Sequence, residues 1–506
     1  VAVSVSYPGV YVEEIPSGVR TISGVSTART AFIGRAPKGP VDEPTLIFSF
    51  ADYDRKFGGL RADSTMGFAV QQYFNNGGGE ALIVRVFNGA AADTATIGLT
   101  NGAAAVTLSA ASAGAWGSDL FVAVDHDTRT NGVAGLVNLT VFLGATEVEM
   151  LRNVSTADLQ ATLAQRSEYL RFTGAGPSDI DDTTPPATSA DPPGEGATGG
   201  GDGNDIASSA LIGTDTSAGR TGMMSLVNTD IFNILCLPPP TATTDVVDTD
   251  YQLAAAFCED HRAMLIVDPP LTTPRPEQVP AAFATFAAGD TRKNAAGFFP
   301  RILAPNPLTT MIEEFVPCGV VAGVFARTDA TRGVWKAPAG IEAGLSGVSG
   351  LAYPLTDAEN GVANQQAVNC LRNFPGYGHV VWGARTLDGG DQFGSEWKYI
   401  PVRRLALYIE ESLFRGLKWV VFEPNDAPLW AQIRLNVGAF MNNLFRQGAF
   451  QGAAPKDAYF VKCDSTTTTQ NDINLGIVNI LVGFAPLKPA EFVILKIQQI
   501  AGQIQT

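Results

Sequence analysis

The 506-residue sequence predicts an α/β (α+β) multidomain chain. Its mixed-sheet core is assembled from amino- and carboxy-terminal parts of the chain, with an inserted small β-rich domain and extended strands at both termini. Three observations predict it. Strand and helix patterns alternate through residues 27–90 and return from Gly222 onward. Between them, residues 91–178 turn to Ala, Thr, Gly and Val in short alternating runs. Strand-like segments lie at both ends of the chain with no adjacent turn to pair them locally.

The elements follow in order. Residues 1–20 read as an extended arm: Val1, Val3 and Val5 alternate with small residues, Pro8-Gly9 interrupts, and Val10 to Val12 resume the strand. Residues 21–90 form the first part of the core. Thr30 to Arg35 and Leu46 to Phe50 are short strands, Asp52 caps a helical turn, Met66 to Asn75 is a helix, and Ala81 to Phe87 is a buried strand. Residues 91–178 are the inserted sandwich or barrel, and 179–205, rich in Pro, Gly, Ser, Thr and Asp, read as a flexible exposed loop. Residues 206–370 continue the core. There Phe232 to Leu237, Tyr251 to Asp260 and Ala263 to Asp268 give strand, helix, strand, a parallel unit with a right-handed crossover. Periodicity leaves Phe315 to Ala326 open between helix and strand. Residues 371–490 hold two amphipathic helices, about 402–420 and 428–447; Asp426 caps the second, Pro428 enters its first turn and Gly448 stops it. Residues 491–506 end the chain in a β-forming strand, Glu491 to Gln498. No internal repeat is present.

Bulk composition excludes several functions. Lys and Arg number 34 against 50 Asp and Glu, for a net charge of −16, so the basic field needed for nucleic-acid binding is missing. The longest apolar run is about a dozen residues, short of the roughly 20 that span a bilayer. No basic n-region and apolar h-region open the chain, so no secretory signal is expected. The five cysteines, Cys236, Cys258, Cys318, Cys370 and Cys463, form no C-x-x-C pair and read as buried free thiols from a reducing cytoplasm.

Catalytic and metal motifs fail on inspection. Gly77-Gly-Gly79 lacks the Gly-Lys-Ser/Thr ending of a phosphate loop. Gly347-Val-Ser-Gly350 misses nucleophile-elbow spacing. Asp202-Gly-Asn-Asp205 has no Glu at the twelfth position of a calcium loop. Asp125-His126-Asp127 reads as a solvated turn, and His261 and His379 as hydrogen-bonding core or edge residues. No catalytic, cofactor or metal residue is assigned, and no enzyme activity is expected; an α/β hydrolase would need a clustered nucleophile and base. The charged side of helix 402–420 carries Arg403, Arg404, Glu411, Arg415 and Lys418, with Glu411 and Arg415 at the favourable i, i+4 spacing. It is open to two readings, a solvated face or a docking face for another protein.

Four groups of residues carry a resemblance. They are Tyr7-Pro-Gly-Val-Tyr-Val-Glu-Glu14; Arg332 to Gly340 with Trp335 and Pro338; Val381-Trp-Gly-Ala-Arg-Thr-Leu387 with Trp382 and Arg385; and Tyr399 to Leu405 with Val421 to Asn425. These resemble the contractile tail sheath proteins of bacteriophages, R-type bacteriocins and contractile injection systems. The resemblance implies a structural subunit that polymerises as stacked rings, sixfold by family habit, around an inner tube and contracts to drive the tube through a target envelope. It implies assembly in a bacterial cytoplasm, then a virion tail or released particle, with the tube, baseplate and terminator proteins as partners and no membrane insertion. Strand donation between subunits would fall on Val3, Val5, Tyr7, Val10, Tyr11 and Val12 at one end and Phe492, Val493, Ile494, Leu495 and Ile497 at the other. The charged helix 402–420 would face the tube, and Arg385 would serve as a structural ion pair or a contact to a neighbouring copy. A baseplate or capsid component is the structural alternative.

Overall fold

The computed structural model describes residues 20–102, 104–129, 135–183, 194–271 and 289–496, together with Val279 and Phe283. They divide into two compact units. The large unit holds Ser26–Thr331 and Pro338–Ile400; the small unit holds residues 20–25, 332–337 and 401–496.

The large unit is built on an eight-stranded sheet. Its strands are β1 (Thr30–Gly34), β2 (Thr45–Ile47), β3 (Ala81–Arg85), β4 (Ile234–Cys236), β5 (Met264–Val267), β6 (Ala295–Phe299), β7 (Val368–Phe374) and β8 (Gly378–Val381). They lie in the order β2-β3-β1-β4-β5-β6-β7-β8. The inner strands from β3 to β7 are parallel, and β2 and β8 close the two edges antiparallel. This is the mixed sheet expected from the sequence, gathered from both sides of the insertion.

Every residue of β1 is buried, which is why its apolar run is continuous rather than alternating. Successive side chains still point to opposite faces. Phe32, Ile83, Cys236, Ile266 and Phe298 enter one core. Ala31, Ile33, Leu82, Leu235 and Leu265 enter the other. Helices cover both faces: α1 (Phe50–Phe57), α2 (Met66–Asn75) and α4 (Cys318–Arg332) on the first, and α3 (Asp248–Asp260) on the second.

Two local readings change. The cap of α1 is Ser49, whose hydroxyl accepts the Asp52 N–H at 3.1 Å, while Asp52 sits in the first turn and its carboxylate takes the Phe48 N–H. Asp52 was the expected cap; three residues earlier, Ser49 already holds the extended conformation a cap requires. The stretch from Phe315 resolves as a strand ending at Phe315 followed by α4, a helix buried all round its first nine residues. A helix with no polar face has no period to read. Gly319 and Gly323 explain its depth. A Cβ on Gly319 would collide with the Ala69 carbonyl, and one on Gly323 would lie 2.6 Å from the Tyr73 carbonyl, so α2 and α4 touch along their backbones.

The insertion that follows β3 contains two small sheets. One contains Thr96–Asn101, Ala104–Ala110 and Leu170–Phe172; the other contains Leu120–Asp125, Leu136–Leu143, Thr146–Ser155 and Glu195–Gly196. Inward residues such as Ile97, Leu108, Val122 and Leu139 share one core. Alternation is clean in Leu120–Asp125, where buried and half-buried residues take turns.

Residues 194–205 depart from the flexible-loop expectation. Glu195 and Gly196 pair with Val122 and Phe121, and Thr198 exchanges backbone hydrogen bonds with Thr96. Asp202 accepts the Arg61 guanidinium at 2.7 Å and the Ala115 N–H at 2.9 Å. Backbone groups do this work, so a composition poor in apolar side chains gives no warning of it. Residues 184–193 of that stretch lie outside the described residues.

In the small unit, α5 (Ile400–Gly416, from Pro401 onward) packs with α6 (Ala427–Arg446). The Asp426 carboxylate caps α6 through the Leu429 N–H at 3.1 Å, with Pro428 in the first turn. The expected stripe Trp430, Ile433, Val437, Met441 and Leu444 is buried. Residues 20–25 strap this pair. Arg20 donates its N–H to Asn436 Oδ1 at 3.1 Å, Val25 donates to Ser412 Oγ at 3.4 Å, and a side chain on Gly24 would collide with the Tyr408 hydroxyl. Tyr459–Lys462 and Leu481–Phe484 form an antiparallel two-stranded ribbon beside α6.

Candidate assembly surfaces

The segment expected to be lent to another copy ends the described chain. Phe492, Val493, Ile494 and Leu495 are 73–82% exposed. No strand is assigned over 489–496 among the described residues. Ile497 falls outside the described residues, as do Val3, Val5, Tyr7, Val10, Tyr11 and Val12. The small-unit ribbon has two strands among the described residues, with Phe460 and Leu481 half exposed on it. A ribbon of two strands is marginal in water, and its outer N–H and C=O groups suit further strands.

The charged side of α5 does not stand open along its length. Arg403, Arg404 and Glu411 are buried at 5%, 4% and 8% exposure. Arg403 reaches Glu410 at 3.4 Å. Glu411 holds Arg415 at 2.6 Å, the i, i+4 pair expected from the spacing. The exposed part is the carboxy-terminal end: Phe414 is exposed, Lys418 stands over its ring at 5.6 Å, and Arg415 is half buried. The helix itself ends at Gly416, and Lys418 lies in a 3₁₀ turn rather than in a helix reaching 420. Val421 and Phe422 follow, both exposed, Phe422 at a positive φ of 70°.

Arg385 is a structural residue of the large unit. It is 1% exposed, its guanidinium donates to the Asn364 carbonyl and to Asp391, each at 2.8 Å, and Asn369 holds its backbone on both sides. Trp382 packs on Phe374 with ring centroids 4.5 Å apart and remains 38% exposed. Pro338 is buried, and Trp335 packs against the small-unit core.

His126 proves more than a solvated turn. Nδ1 meets Asp182 at 2.6 Å and Nε2 meets Asp179 at 3.1 Å. Asp182 first, then Asp179, raises its pKa above the ordinary histidine value. His261 stacks on Phe257 at 4.1 Å and bonds the Phe257 carbonyl, a core role. All five cysteines are buried and free. Among the described residues no group of three or more His, Cys, Asp or Glu is placed to hold a metal ion, and no helix is long and apolar enough to cross a membrane.

Two buried charges escaped the sequence reading. Arg85 is 1% exposed and donates to the carbonyls of Ala36, Gly39, Pro37 and Ala113; burial lowers its pKa to about 10. Asp268, at the carboxyl end of β5, is raised by burial to about 7. The only sequence signal for either was a charge within or just after an unbroken apolar strand.

An α/β body of parallel strands, carrying an inserted β-sandwich and a separate helical unit with an exposed apolar tail, defines a recognisable class of multidomain protein. Residues 216–387 match the phage tail sheath protein central domain, and residues 393–500 match the phage tail sheath C-terminal domain, together just over half of the chain. The chain belongs to the phage tail sheath family. Its relatives include the tail sheath protein of Burkholderia phage BcepMu, 24% identical over 88% of this chain and 87% of that protein. A putative prophage major tail sheath protein of Pseudomonas aeruginosa is 26% identical over 56% of this chain and 70% of that protein. The tail sheath protein of Vibrio phage KVP40 is 28% identical over 36% of this chain, which spans only 26% of that longer protein. Among solved structures, the PVC sheath complex of an extracellular contractile injection system in its contracted state aligns with a TM-score of 0.60 at 23% identity, over 98% of this chain and 99% of that one. A sheath tail protein of Listeria innocua aligns with a TM-score of 0.63 at 15% identity, over 92% and 96%. At these identities the structural likeness is one of fold.

Proposed function

We propose that the chain is the repeating subunit of a contractile sheath, stacked in rings around an inner tube and shortening to drive that tube through a cell envelope. Residues 1–14 and 491–498 would be lent to other copies, where they complete the small-unit ribbon. The observation that carries this reading is the run Phe492 to Leu495, four large exposed apolar side chains on one segment with no assigned secondary structure. Burying each would contribute about 2 kcal/mol, and each added ladder bond about 1 kcal/mol. Several such bonds per arm, repeated over a lattice, let the bodies rotate while the mesh holds.

The tube contact falls to the exposed end of α5 and the turn after it, through Phe414, Arg415 and Lys418. Exposed ion pairs contribute only about 0–1 kcal/mol each, so ring after ring can release the tube. The assembled particle would be a phage tail or a released extracellular injection particle, with baseplate and terminator proteins at its ends.

Negative-stain microscopy of the purified chain tests this. Hollow, transversely striated tubes are expected. Closed shells, or a single flat ring that never stacks, would instead favour a capsid or baseplate component.

A further inference from the structure

We propose that Asp268 is a proton-operated latch in the large unit: the fold is built around its neutral carboxylic acid, and loss of that proton loosens the joint where β5 ends and α4 begins. This does not depend on the assembly reading.

Asp268 is 5% exposed. Its Oδ1 accepts the backbone N–H of Cys318, the first residue of α4, at 2.8 Å. Its Oδ2 is buried and takes no hydrogen bond from the described residues. The residue lines a cavity of about 20 Å³ at the carboxyl end of the parallel sheet. That space admits a single water, a sufficient partner for a carboxyl O–H.

Among the described residues the surroundings offer no free positive charge. Arg301 is, among the described residues, the cation lining the cavity, and its hydrogen bonds go elsewhere: Nη2 bonds Asp245 at 2.8 Å, and Nε bonds the Pro269 carbonyl at 3.0 Å and lies 3.7 Å from Glu314. Asp245 and Asp248 line the same cavity and add negative charge. The Cys236 and Cys318 thiols and the Tyr251 phenol face Asp268 and are held neutral by burial. An ionised Asp268 would therefore be a buried charge met by the Cys318 N–H and thiol, with Arg301 engaged elsewhere, a costly arrangement. Burial accordingly pushes its pKa up to about 7, with the Cys318 hydrogen bonds and Arg301 only partly opposing.

The sign follows from linkage. Between the unfolded carboxylate range near 3.8 and the folded value near 7, the folded chain holds a proton that the unfolded chain has released. Stability from this group is greatest at the acid end of that window, falls as pH rises through it, and is flat above it. Over pH 5 to 7 the unfolding equilibrium constant should rise on the order of 50-fold on account of this one residue.

Urea unfolding of the full chain, wild type against Asp268→Asn, at several pH values from 5 to 8 tests the latch. The amide is neutral at every pH, so the variant should lose that steepness, and the two stability curves should converge toward the acid end and part above neutrality. Parallel curves would overturn the proposal. Should the variant fail to fold, infrared spectra of the wild type decide. A protonated-carboxyl carbonyl band should be present at pH 6 and gone by pH 9, measured in an Asp42→Asn background that removes a second raised aspartate. Absence of that band at pH 6 overturns the latch equally.

Discussion

Arg403 and Arg415 lie on one helix, and the sequence treats them alike. Both sit on the side of α5 away from the apolar stripe, and the i, i+4 partner of Arg415 was legible from spacing alone. What spacing cannot report is whether a second surface covers the charged side. Arg403 and Arg404 are covered; Arg415 is half buried and Lys418 exposed. Reversing charge should therefore give opposite phenotypes at the buried start of α5 and at the exposed turn that follows it. Arg403→Glu buries an unpaired carboxylate and should cost about 3–5 kcal/mol, lowering the thermal midpoint of the isolated chain. Lys418→Glu should leave that midpoint nearly unchanged, because an exposed charge contributes little, yet weaken co-assembly with tube protein. A Lys418→Glu chain that still sheathes tubes at wild-type density would remove this exposed end from the docking surface. Arg385 illustrates the same principle from inside the fold: its fork is spent on a carbonyl and on Asp391, so it has a structural task without any neighbour.

At the scale of elements, helices read well where one face is buried and poorly where burial runs all the way round. The helix Met66–Asn75 and the buried stripe of α6 emerge from apolar spacing and caps. The helix Cys318–Arg332 does not, because its burial on every side erases the period and its depth rests on two glycines that composition reads as breakers. Residues 194–205 fail for the opposite reason. They bury almost no side chain, and their order comes from backbone pairing with Val122 and Thr96 and from one carboxylate. That carboxylate is the testable part. Asp202 joins Arg61 of the core to the Ala115 N–H of the insertion, and the Asp202 carbonyl accepts Arg35 at 2.8 Å. Asp202→Ala keeps the carbonyl and removes the rest, for an expected loss of about 1–3 kcal/mol. Proteolysis under native conditions should then cut within 194–205 several-fold faster while the large sheet stays protected in hydrogen exchange. Unchanged cleavage would mean that the backbone pairings alone hold the segment. By the same reasoning, deleting 176–205 removes a strand from the insertion and should not be silent.

At the scale of the molecule, folding and assembly draw on different parts of the chain. The large unit completes its own sheet: β2 and β8 close the edges antiparallel, and both faces are covered by helices. The small unit contains a core of its own around α5 and α6, but its ribbon has two strands and its last described residues are apolar and exposed. If the arms are lent, removing them should spare the folding of both units and abolish only polymerisation. The informative variant lacks residues 1–14 and 491–506, which keeps the strap at Arg20 and Val25 on Asn436 and Ser412. Calorimetry should give a melting profile within a few degrees of the full chain held as monomer. Sedimentation should give a single small species at concentrations where the full chain forms tubes. Restoring either arm alone should yield short, fragile oligomers, since a ribbon extended by one donated strand gains only part of the ladder. Striated tubes from the doubly trimmed chain would locate the lattice contacts in the bodies instead, and the exposed run Phe492 to Leu495 would need another explanation.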